Sequence, residues 1–340
     1  MKLTKIIKTI LADFLTLYQR RCYIIQLMPS RFFLLLVFGV FFFGLFTFLH
    51  YQPNNYNNIA INNPSRSLFS RLLPKPDQPI ILLAVGDIML GRSVNAKMRQ
   101  LNDFQYPFRK TADILRSADL TFGNLESPFW PDCPTVNSSM VFCADPKAIQ
   151  GLTFSGIDIL SIANNHILNY GSQGKQYTVN LLQQNGILSS AENNIAIKQY
   201  NNLTIGFLSL DLTKTRSNQQ ILDMVTRYAS QAGILVVSLH WGNEYADKPT
   251  QTQKELAHSL IDAGADLIIG HHPHVIQPTE EYRSKLIFYS LGNFVFDQTW
   301  SKETRKGNIA KIVLEGKTIK SYEEIPVYLN KDYQPEIVTD

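Results

Sequence analysis

Cysteine and histidine are both scarce in this chain. Only three of the 340 residues are cysteines, Cys22, Cys133 and Cys143. So few thiols exclude a disulfide-rich secreted scaffold and a zinc site built mainly from thiolates. The chain has seven histidines, and three of them fall within four positions, at His271, His272 and His274. This crowding in a histidine-poor chain predicts a specific site.

A strong net charge is also lacking, because the formal charge of the whole chain is only +4. Residues 1–31 hold six basic residues against the single acid Asp13, which gives +5 and leaves −1 for the rest of the chain. The remainder therefore offers no basic surface for nucleic acid. The basic N-terminal segment instead predicts contact with anionic lipid.

Long apolar runs are absent except for one, the 18 uncharged residues from Phe32 to Leu49. A helix of this length just crosses the hydrocarbon layer of a membrane. No small-residue cleavage site follows it, so we predict an uncleaved anchor at 32–50 rather than a signal peptide. A buried core helix is the alternative, but the run has no polar stripe. The positive-inside rule places residues 1–31 in the cytoplasm and the rest outside the cell membrane, as in a single-pass protein.

Residues 51–79 are rich in Asn, Pro and Ser and predict a linker. We expect one domain over 80–330 and a tail over 331–340.

Cys133 and Cys143 lie ten positions apart and, by the predicted topology, outside the cell. An oxidising compartment favours a disulfide between them, with two free thiols as the alternative. Cys22 is expected to stay unpaired in the cytoplasm.

The predicted domain alternates apolar strand-like runs with helical patterns. "IILLAVG", "DLTFGN", "IDILSIANN", "LTIGFLSL", "ILVVSLH" and "DLIIG" predict strands, and "GKQYTVNLLQQNG" and "TQTQKELAHSLIDAG" predict helices ended by glycine. The last runs, "KLIFYSLGNFVF", "IAKIVLE" and "KTIKSYEEIPVYL", predict hairpin strands without helices between them. The pattern is that of an α/β fold with a mixed sheet and an antiparallel addition at its end.

Polar groups follow nearly every predicted strand, and sites in open α/β sheets form at the carboxyl ends of strands. We therefore expect one pocket that gathers carboxylates, imidazoles and carboxamides. These groups suit a divalent ion such as Mn, Fe or Zn. One or two ions bound there would suit hydrolysis of a phosphoester. The strand-end residues are Asp87, Asn124, Glu126, Asn164, Asn165, His166, His240, Glu244, His271, His272 and His274.

Six ordered motifs narrow this expectation to a family. "GDIMLGR", "NLESP", "ANNHILNYG", "HWGNEY", "GHHPHVIQ" and "YSLGNFVFDQ" resemble the bacterial capsule-synthesis CapA family, also called the poly-γ-glutamate synthesis (PGA_cap) family, within the metallophosphoesterase (calcineurin-like) superfamily. The likeness covers about 80–328. It implies a four-layer α/β/β/α sandwich behind an N-terminal anchor.

The resemblance also implies roles for single residues. The implied metal ligands are Asp87, Glu126, Asn165, His240, His272 and His274. His166 matches the imidazole that acts as an acid or contacts phosphate. The chain departs from the superfamily pattern where Met89 replaces a histidine, where Glu126 replaces an aspartate, and where Asn169 replaces the aspartate usual in CapA-like chains. These departures leave either one or two ions open.

Other residues are expected around the ligands. Asn124, Glu244, His271, Asn293 and Asp297 are candidates to support the ligands or to contact substrate. Arg92 is either a phosphate or carboxylate clamp or a plain surface charge. More ordinary roles compete for two of the proposed ligands, since Asp87 could cap a helix and Glu126 could pair in a loop. His258, in the middle of a predicted helix, is expected to be structural or on the surface.

Two functions follow from the resemblance. In the first, the chain is a membrane-anchored hydrolase of the phosphoesterase type that acts in poly-γ-glutamate or related capsule polymer synthesis and export. In the second, it is a non-catalytic partner of a membrane polymer synthase that binds an anionic polymer through a metal and Arg92. The intact histidine motifs favour the first function, and the lost histidine at Met89 favours the second.

Overall fold

The computed structural model describes residues 78–200 and 202–338, all of which lie in one compact unit. The six α-helices of this part are α1 (Arg92–Leu101), α2 (Ala112–Ser117), α3 (Ile149–Ser155), α4 (Gly171–Gln184), α5 (Asn218–Ala229) and α6 (Gln251–Asp262). None of its helices is long and apolar enough to cross a membrane. The predicted anchor at 32–50, the segment 1–31, Cys22 and nearly all of the linker lie outside the described residues.

The described residues contain fourteen strands. They are β1 (Ile80–Ile88), β2 (Leu120–Leu125), β3 (Ile159–Ser161), β4 (Leu188–Ser190), β5 (Ala196–Tyr200), β6 (Leu203–Asp211), β7 (Ile234–His240), β8 (Leu267–His271), β9 (Ile276–Tyr282), β10 (Lys285–Leu291), β11 (Asn293–Val295), β12 (Lys306–Glu315), β13 (Thr318–Leu329) and β14 (Pro335–Ile337).

The strands form two sheets, each with a parallel centre. The first has the order β14-β13-β12-β1-β2-β3-β4, with β11 also paired to β1. Its strands β1 to β4 are parallel, whereas β12, β13 and β14 are antiparallel to their neighbours. The second has the order β5-β6-β7-β8-β10-β9, with antiparallel strands only at its edges. The predicted α/β class, with a mixed sheet and an antiparallel addition at its end, is confirmed.

Three apolar clusters show how the layers stack. The central cluster joins the facing sides of the two sheets, with Phe122 of β2 stacked on Phe207 of β6 at 5.3 Å between ring centroids. A second cluster lies between the first sheet and α1 to α4, and a third between the second sheet and α5 and α6. The order is therefore helices, sheet, sheet, helices. Strands buried on both faces read as continuous apolar runs, which explains the sequence pattern.

Local sequence sets the ends of the helices. Thr250 caps α6 by accepting a hydrogen bond from the Gln253 backbone N–H, and the Gln253 side chain returns a bond to the Thr250 N–H. This reciprocal pair satisfies two donors at the start of the helix. After α6, Gly264 adopts φ +113°, a conformation that glycine reaches without a steric cost. The sequence identified this helix and its stop.

The run "KLIFYSLGNFVF", predicted as a hairpin strand, is divided into two strands of different sheets, whereas β12 and β13 form the predicted antiparallel hairpin. Strand β10 pairs with β8 and β9 in the second sheet, whereas β11 pairs with β1 in the first. The chain changes sheet at Gly292, whose φ is +69°. A Cβ on Gly86 would lie 2.1 Å from the carbonyl oxygen of Gly292, so the two backbones touch at this crossing. Periodicity alone cannot tell a crossing of this kind from a turn within one sheet.

The structure also contains elements to which the sequence pattern assigned nothing, namely α3, β4, β5, α5, β9 and β14. Helix α5 occupies a stretch to which the sequence pattern assigned no element. Strand β14 lies within the segment predicted as a tail and pairs with β13.

Candidate metal site

Carboxyl ends of strands from both sheets meet at one buried cluster of polar side chains. Asp87 lies near the end of β1, and Glu126 directly follows β2. From the second sheet come His240, at the end of β7, and the His271–His274 segment, at and after the end of β8. All of these side chains are buried. The structure therefore brings together residues separated by up to 187 positions, as the strand-end argument predicted.

Asp87 is at the centre of this cluster. Its carboxylate accepts hydrogen bonds from Asn124 Nδ2 at 2.9 Å and from the His272 backbone N–H at 3.2 Å. The Nδ1 atoms of His271 and His274 lie 3.1 and 3.2 Å from its two oxygens. Burial opposes ionisation of Asp87, but its contacts with His271 and His274 hold its pKa well below the usual range. Asp87 does not cap a helix, since the next helix begins at Arg92.

Glu126 has the opposite electrostatic character. Burial raises the pKa of its carboxyl well above the usual range, and the charge of Asp87 raises it further. Its Oε1 accepts from Asn124 Nδ2 at 3.2 Å, while its buried Oε2 has no hydrogen-bond partner within the described residues. Two buried carboxyl groups in one cluster, such as those of Asp87 and Glu126, are not both ionised unless a cation compensates their charge. Glu126 is therefore not a partner in a surface loop, and its free oxygen suits a metal ion.

The turn after β8 holds two histidines in a backbone conformation unusual for side-chain-bearing residues. His272 has φ +94° and His274 has φ +58°, on either side of Pro273. Such strain is typical of functional sites, where the surroundings must enforce it. His274 Nδ1 lies 3.0 Å from Asn293 Oδ1, as expected for a residue that supports a ligand. The Nδ1 atom of His272 is buried without a hydrogen-bond partner in the described part of the chain.

His240 and Asn165 form a second part of the site. His240 Nε2 lies 3.0 Å from Asn165 Oδ1, and its Nδ1 lies 3.4 Å from Asn124 Nδ2. Burial lowers the pKa of His240 well below its usual value, with a further effect from His272, so the ring stays neutral. A neutral imidazole is the form that binds metals.

Asn164 serves the loop that carries Asn165. Its Oδ1 accepts from the backbone N–H groups of His166 and Ile167, and its Nδ2 donates to Asn124. The loop after β3 is therefore fastened to the end of β2.

His166 is held from two sides. Its Nδ1 lies 3.1 Å from Asn169 Oδ1, and its ring stacks on Phe142. Asn169 Oδ1 also accepts the backbone N–H of Phe142 at 2.6 Å, so this atom is the amide oxygen and Nδ1 of His166 carries the proton. Burial lowers the pKa of His166 to about 4. At neutral pH the ring is therefore uncharged, with its acceptor lone pair at Nε2.

Arg92 neither lies at the surface nor forms part of the carboxylate cluster. Its guanidinium, 11% exposed, pairs with Asp297, which is only 4% exposed. Nη1 donates to the Ser139 carbonyl oxygen, and the guanidinium carbon lies 4.6 Å from the centre of the Phe142 ring. Ser139 and Phe142 belong to the loop closed by the Cys133–Cys143 disulfide. Arg92 therefore fastens this loop beside His166, a contact that weakens the interpretation as a surface charge.

Two groups of side chains could each hold a cation. Ligand atoms of Asp87, Glu126 and His274 lie within 4.8 Å of one another, and so do those of Glu244, His272 and His274. The second group contains Glu244, which the sequence placed only in support. Glu126 Oε2, His271 Nε2 and His272 Nδ1 lie in the same cluster and have no hydrogen-bond partner among the described residues. Buried polar atoms without partners are costly, and a bound ion would satisfy them. The residues present therefore fit a divalent metal.

Met89 takes no part in this cluster. Its side chain is buried in the apolar layer between the first sheet and the helices, and its sulfur accepts the Gly91 N–H at 3.0 Å.

Sequence reasoning missed two contributors, Phe142 and Tyr245. Tyr245 lies 6.3 Å from His274 between ring centroids and carries a pKa raised to about 12 by partial burial and by Glu244. Phe142 directly precedes Cys143, and Tyr245 directly follows Glu244. These adjacent positions in the sequence were the signal that could have identified the two residues. His258, by contrast, pairs with Glu280 and stacks on Tyr282, as expected of a structural residue.

Solved structures share this fold. A crystal structure of a novel phosphatase from Mycoplasma pneumoniae matches 74% of this chain and 94% of its own, with a TM-score of 0.50 and 13% identity. A hypothetical protein from Thermus thermophilus matches 73% and 98% with the same score and identity. At this identity the likeness shows the fold alone.

Sequence relatives lie much closer. The PGA biosynthesis protein CapA of Bacillus subtilis is 31% identical over 271 residues, which cover 73% of this chain and 71% of that protein. The capsule biosynthesis protein CapA of Bacillus anthracis is 31% identical over 257 residues, 67% of this chain and 62% of that protein. Residues 81–298 match the family described as bacterial capsule synthesis protein PGA_cap. The chain therefore belongs to the bacterial capsule-synthesis PGA_cap (CapA) family.

Proposed function

We propose that this protein is a membrane-anchored hydrolase of the phosphoesterase type that serves the synthesis and export of poly-γ-glutamate or a related anionic envelope polymer. Two Bacillus relatives are named for PGA and capsule biosynthesis, and a Mycobacterium tuberculosis relative is named a probable polyglutamine synthesis accessory protein. These names support a role beside a membrane polymer synthase. The charge balance argues against a nucleic-acid substrate.

One observation carries the hydrolytic part of the proposal. The buried oxygen Glu126 Oε2 and the buried nitrogen His272 Nδ1 have no hydrogen-bond partners among the described residues. They lie in groups whose other members are carboxylates and imidazoles. Free lone pairs of this kind suit one or two divalent ions such as Mn, Fe or Zn.

Asp87, Glu126 and His274 would hold one ion, and His272 with Glu244 or with the His240–Asn165 pair would hold another. Oxygen and nitrogen atoms 3.0 Å apart, as in the His240–Asn165 pair, suit two neighbouring ligands of one ion bound at about 2.1 Å from each. When bound, the metal would polarise a phosphoryl oxygen and lower the pKa of a water molecule. Asn293 fixes the ring of His274 for this task, since a hydrogen bond on one ring nitrogen orients the other.

His166 would move a proton at Nε2. Asn169 keeps the proton on Nδ1, so Nε2 accepts a hydrogen bond in the resting protein. A pKa of about 4 means that the ring must first gain a proton before it can protonate a leaving oxygen. An anionic phosphoryl group beside it would favour that gain, because a nearby negative charge raises the pKa of an imidazole. The Phe142 ring holds the imidazole plane while this happens.

Residues 32–50 would anchor the protein in the cell membrane, with residues 1–31 in the cytoplasm and the catalytic domain outside. The length of the apolar run and the basic residues before it support this topology. The Cys133–Cys143 disulfide agrees with an oxidising compartment.

The test measures bound metal and hydrolysis of a chromogenic phosphodiester on the full-length protein in detergent. We expect at least one transition-metal ion per chain and metal-dependent hydrolysis, with the ion content lowered in Glu126→Gln. The matched control Glu255→Gln changes a glutamate on the exposed face of α6 and should retain both. A folded wild-type protein that binds no metal after supplementation would contradict the proposal.

A non-catalytic role is the second candidate, and one observation favours it. Met89 lies in the apolar core, so the chain offers one imidazole fewer than the superfamily pattern. In that role the metal would bind the anionic polymer without hydrolysis. Full metal content together with no hydrolysis of phosphomonoesters, phosphodiesters or γ-linked glutamate chains would decide for it.

A further inference from the structure

A cavity of about 330 Å³ lies at the carboxyl ends of β6 and β7. Its walls come from the segment after β6, the segment after β7, and the first turns of α5 and α6. Gly242 and Asn243 of its wall stand in the chain between His240 and Glu244, both members of the metal cluster. The short loop from His240 to Glu244 therefore contributes residues both to the cavity wall and to the metal cluster.

The charged residues that line the cavity are all basic. None of the lining residues in the described chain is acidic, whereas Lys214 and Arg216 both contribute to the wall. Arg216 is partly committed, since it pairs with Glu192 and donates from Nε to the Asp211 carbonyl oxygen. Lys214 forms no ion pair within residues 78–200 and 202–338. Its charge is therefore available to a ligand.

Two helices direct their positive ends at the same cavity. Asn218 begins α5 and Thr252 lies in the first turn of α6, and both line the wall. Neither helix has an acidic residue in its first turn, and the side chain of the α5 N-cap residue, Ser217, makes no capping hydrogen bond. The start of α5 therefore keeps uncapped N–H groups, whereas α6 is capped by Thr250 and contributes only its helix dipole, and both features attract anions.

A buried, unpartnered donor supplies an independent indication of a ligand. Gln253 lines the cavity and is only 6% exposed, yet its Nε2 has no hydrogen-bond partner among the described residues. Its Oε1 is occupied by Thr250, so the side chain cannot simply turn over. A Cβ on Gly242 would lie 2.6 Å from Nε2, which shows how closely the amide sits against this wall. Leaving such a donor unpaired costs about 1–3 kcal/mol.

We propose that this cavity, formed around Lys214, Gly242, Thr252 and Gln253, is an anion pocket that binds a carboxylate of the substrate. The assignment of a glutamate carboxylate rests on the proposed function, whereas the preference for an anion rests on the lining. A polymer of γ-linked glutamate carries one free carboxylate per unit. Held in the pocket, one such group would fix the chain beside the metal cluster, because the His240–Glu244 loop links the two places. Phosphate shares the same chemistry of recognition, so the test separates the two.

The experiment measures binding to the full-length protein in detergent by calorimetry, in the presence of EDTA so that no metal contributes. The probes are γ-linked triglutamate, the corresponding uncharged triamide, and inorganic phosphate. We expect triglutamate to bind and the triamide not to bind. Lys214→Glu should weaken triglutamate binding at least tenfold, and Thr252→Glu, which places a carboxylate in the pocket, should abolish it. Lys248→Glu is the matched control on the α6 side of the same loop, outside the pocket, and should change affinity less than twofold.

Two outcomes would overturn the proposal. One is no binding of triglutamate by the folded wild-type protein, whether or not phosphate binds, and the other is equal losses in Lys214→Glu and Lys248→Glu. A further measurement separates this proposal from the proposed function. His272→Ala should lose metal but keep triglutamate binding in EDTA, so a failed pocket with normal metal content would leave the hydrolase proposal standing.

Discussion

The imidazole of His166 stacks on the phenyl ring of Phe142, with 3.8 Å between ring centroids and 19° between ring planes. Phe142 directly precedes Cys143, so the disulfide-closed loop forms one wall of the candidate site. Asn169 strengthens the link, because one amide oxygen accepts both the Phe142 N–H and the His166 Nδ1–H. The orientation of the imidazole therefore depends on a loop that carries none of the metal candidates.

Removing the disulfide should weaken both the fold and the site. The bridge closes a loop with a sequence separation of 10, for which the chain-entropy estimate of stabilisation is about 3 kcal/mol. We expect the double variant Cys133→Ser/Cys143→Ser to lose about that much free energy of unfolding in urea denaturation and to lower hydrolysis with little loss of bound metal. Cys22→Ser should match the wild type. An unchanged unfolding midpoint in the double variant would show that the loop is held by other contacts.

His166 predicts a specific acid sensitivity. Burial lowers its pKa to about 4, below the value of about 6.5 in the unfolded chain. The unfolded state therefore takes up the proton first, and the stability from a neutral His166 is complete above pH 6.5 and declines as the pH falls to 4. Between pH 7 and pH 4 the metal-free wild type should lose about 3 kcal/mol more than His166→Gln. Parallel pH curves for the two proteins would refute the assignment.

The two histidines of the strained turn should differ from His166 in their effect on metal. His272→Ala and His274→Ala each remove a lone pair that no neighbour replaces, so the metal dissociation constant should rise at least about 10–100-fold. His166→Ala should keep its metal and lose hydrolysis by a factor of about 10²–10⁴. His258→Ala, whose ring pairs with Glu280, should change neither. Metal analysis after gel filtration measures the content, and identical effects in all four variants would indicate general destabilisation.

The ion pair of Arg92 should be structural and strong. Arg92→Gln leaves Asp297 buried and uncompensated, and the loss of one partner of a buried pair costs about 3–5 kcal/mol. Arg109→Gln is the matched control, because Arg109 pairs with Asp103 while 48% exposed, and such pairs contribute less than about 1 kcal/mol. Urea denaturation of both variants measures the difference. If Arg92 is instead a clamp for substrate, its loss should weaken substrate binding and leave stability unchanged.

The topology proposal has a separate test in cells. Alkaline phosphatase folds only in an oxidising compartment, so fusion after Asp340 should give active enzyme. A fusion to a variant lacking 32–50 should be inactive. A stable, expressed but inactive fusion of the full chain would mean that the catalytic domain stays in the cytoplasm.

The residues of the candidate site could be predicted from the sequence better than the pairing of the strands. Strand-end residues such as Asp87, His240 and His274 could be identified because a short apolar run that ends in a polar residue is typical of a buried strand reaching the edge of its sheet. The crossing at Gly292 could not, because β10 and β11 together read as one continuous apolar run. The two strands differ in their partners, since β10 pairs with β8 and β11 pairs with β1. The periodicity of apolar residues does not indicate which strands pair.

The orientation of side chains was also beyond the sequence. Arg92 follows "GDIMLG", a position from which it could have reached a substrate, yet its side chain pairs with Asp297, 205 positions away. Glu244 was expected only to support the ligands, and the turn that places it beside His272 and His274 depends on Tyr245 at φ +63°. Such details arise from long-range packing, and a local pattern cannot contain them.

The position of β12 has a practical consequence for anyone who trims the gene. The family match ends at residue 298, but β12, at 306–315, lies beside the central strand β1 and pairs with Ile80–Ala84. A truncated product ending at 298 would keep every candidate ligand and still expose the backbone of β1, a nine-residue and mostly apolar strand. Open edges of that kind recruit strands from other molecules, so such a fragment should precipitate during expression rather than yield an isolated catalytic unit.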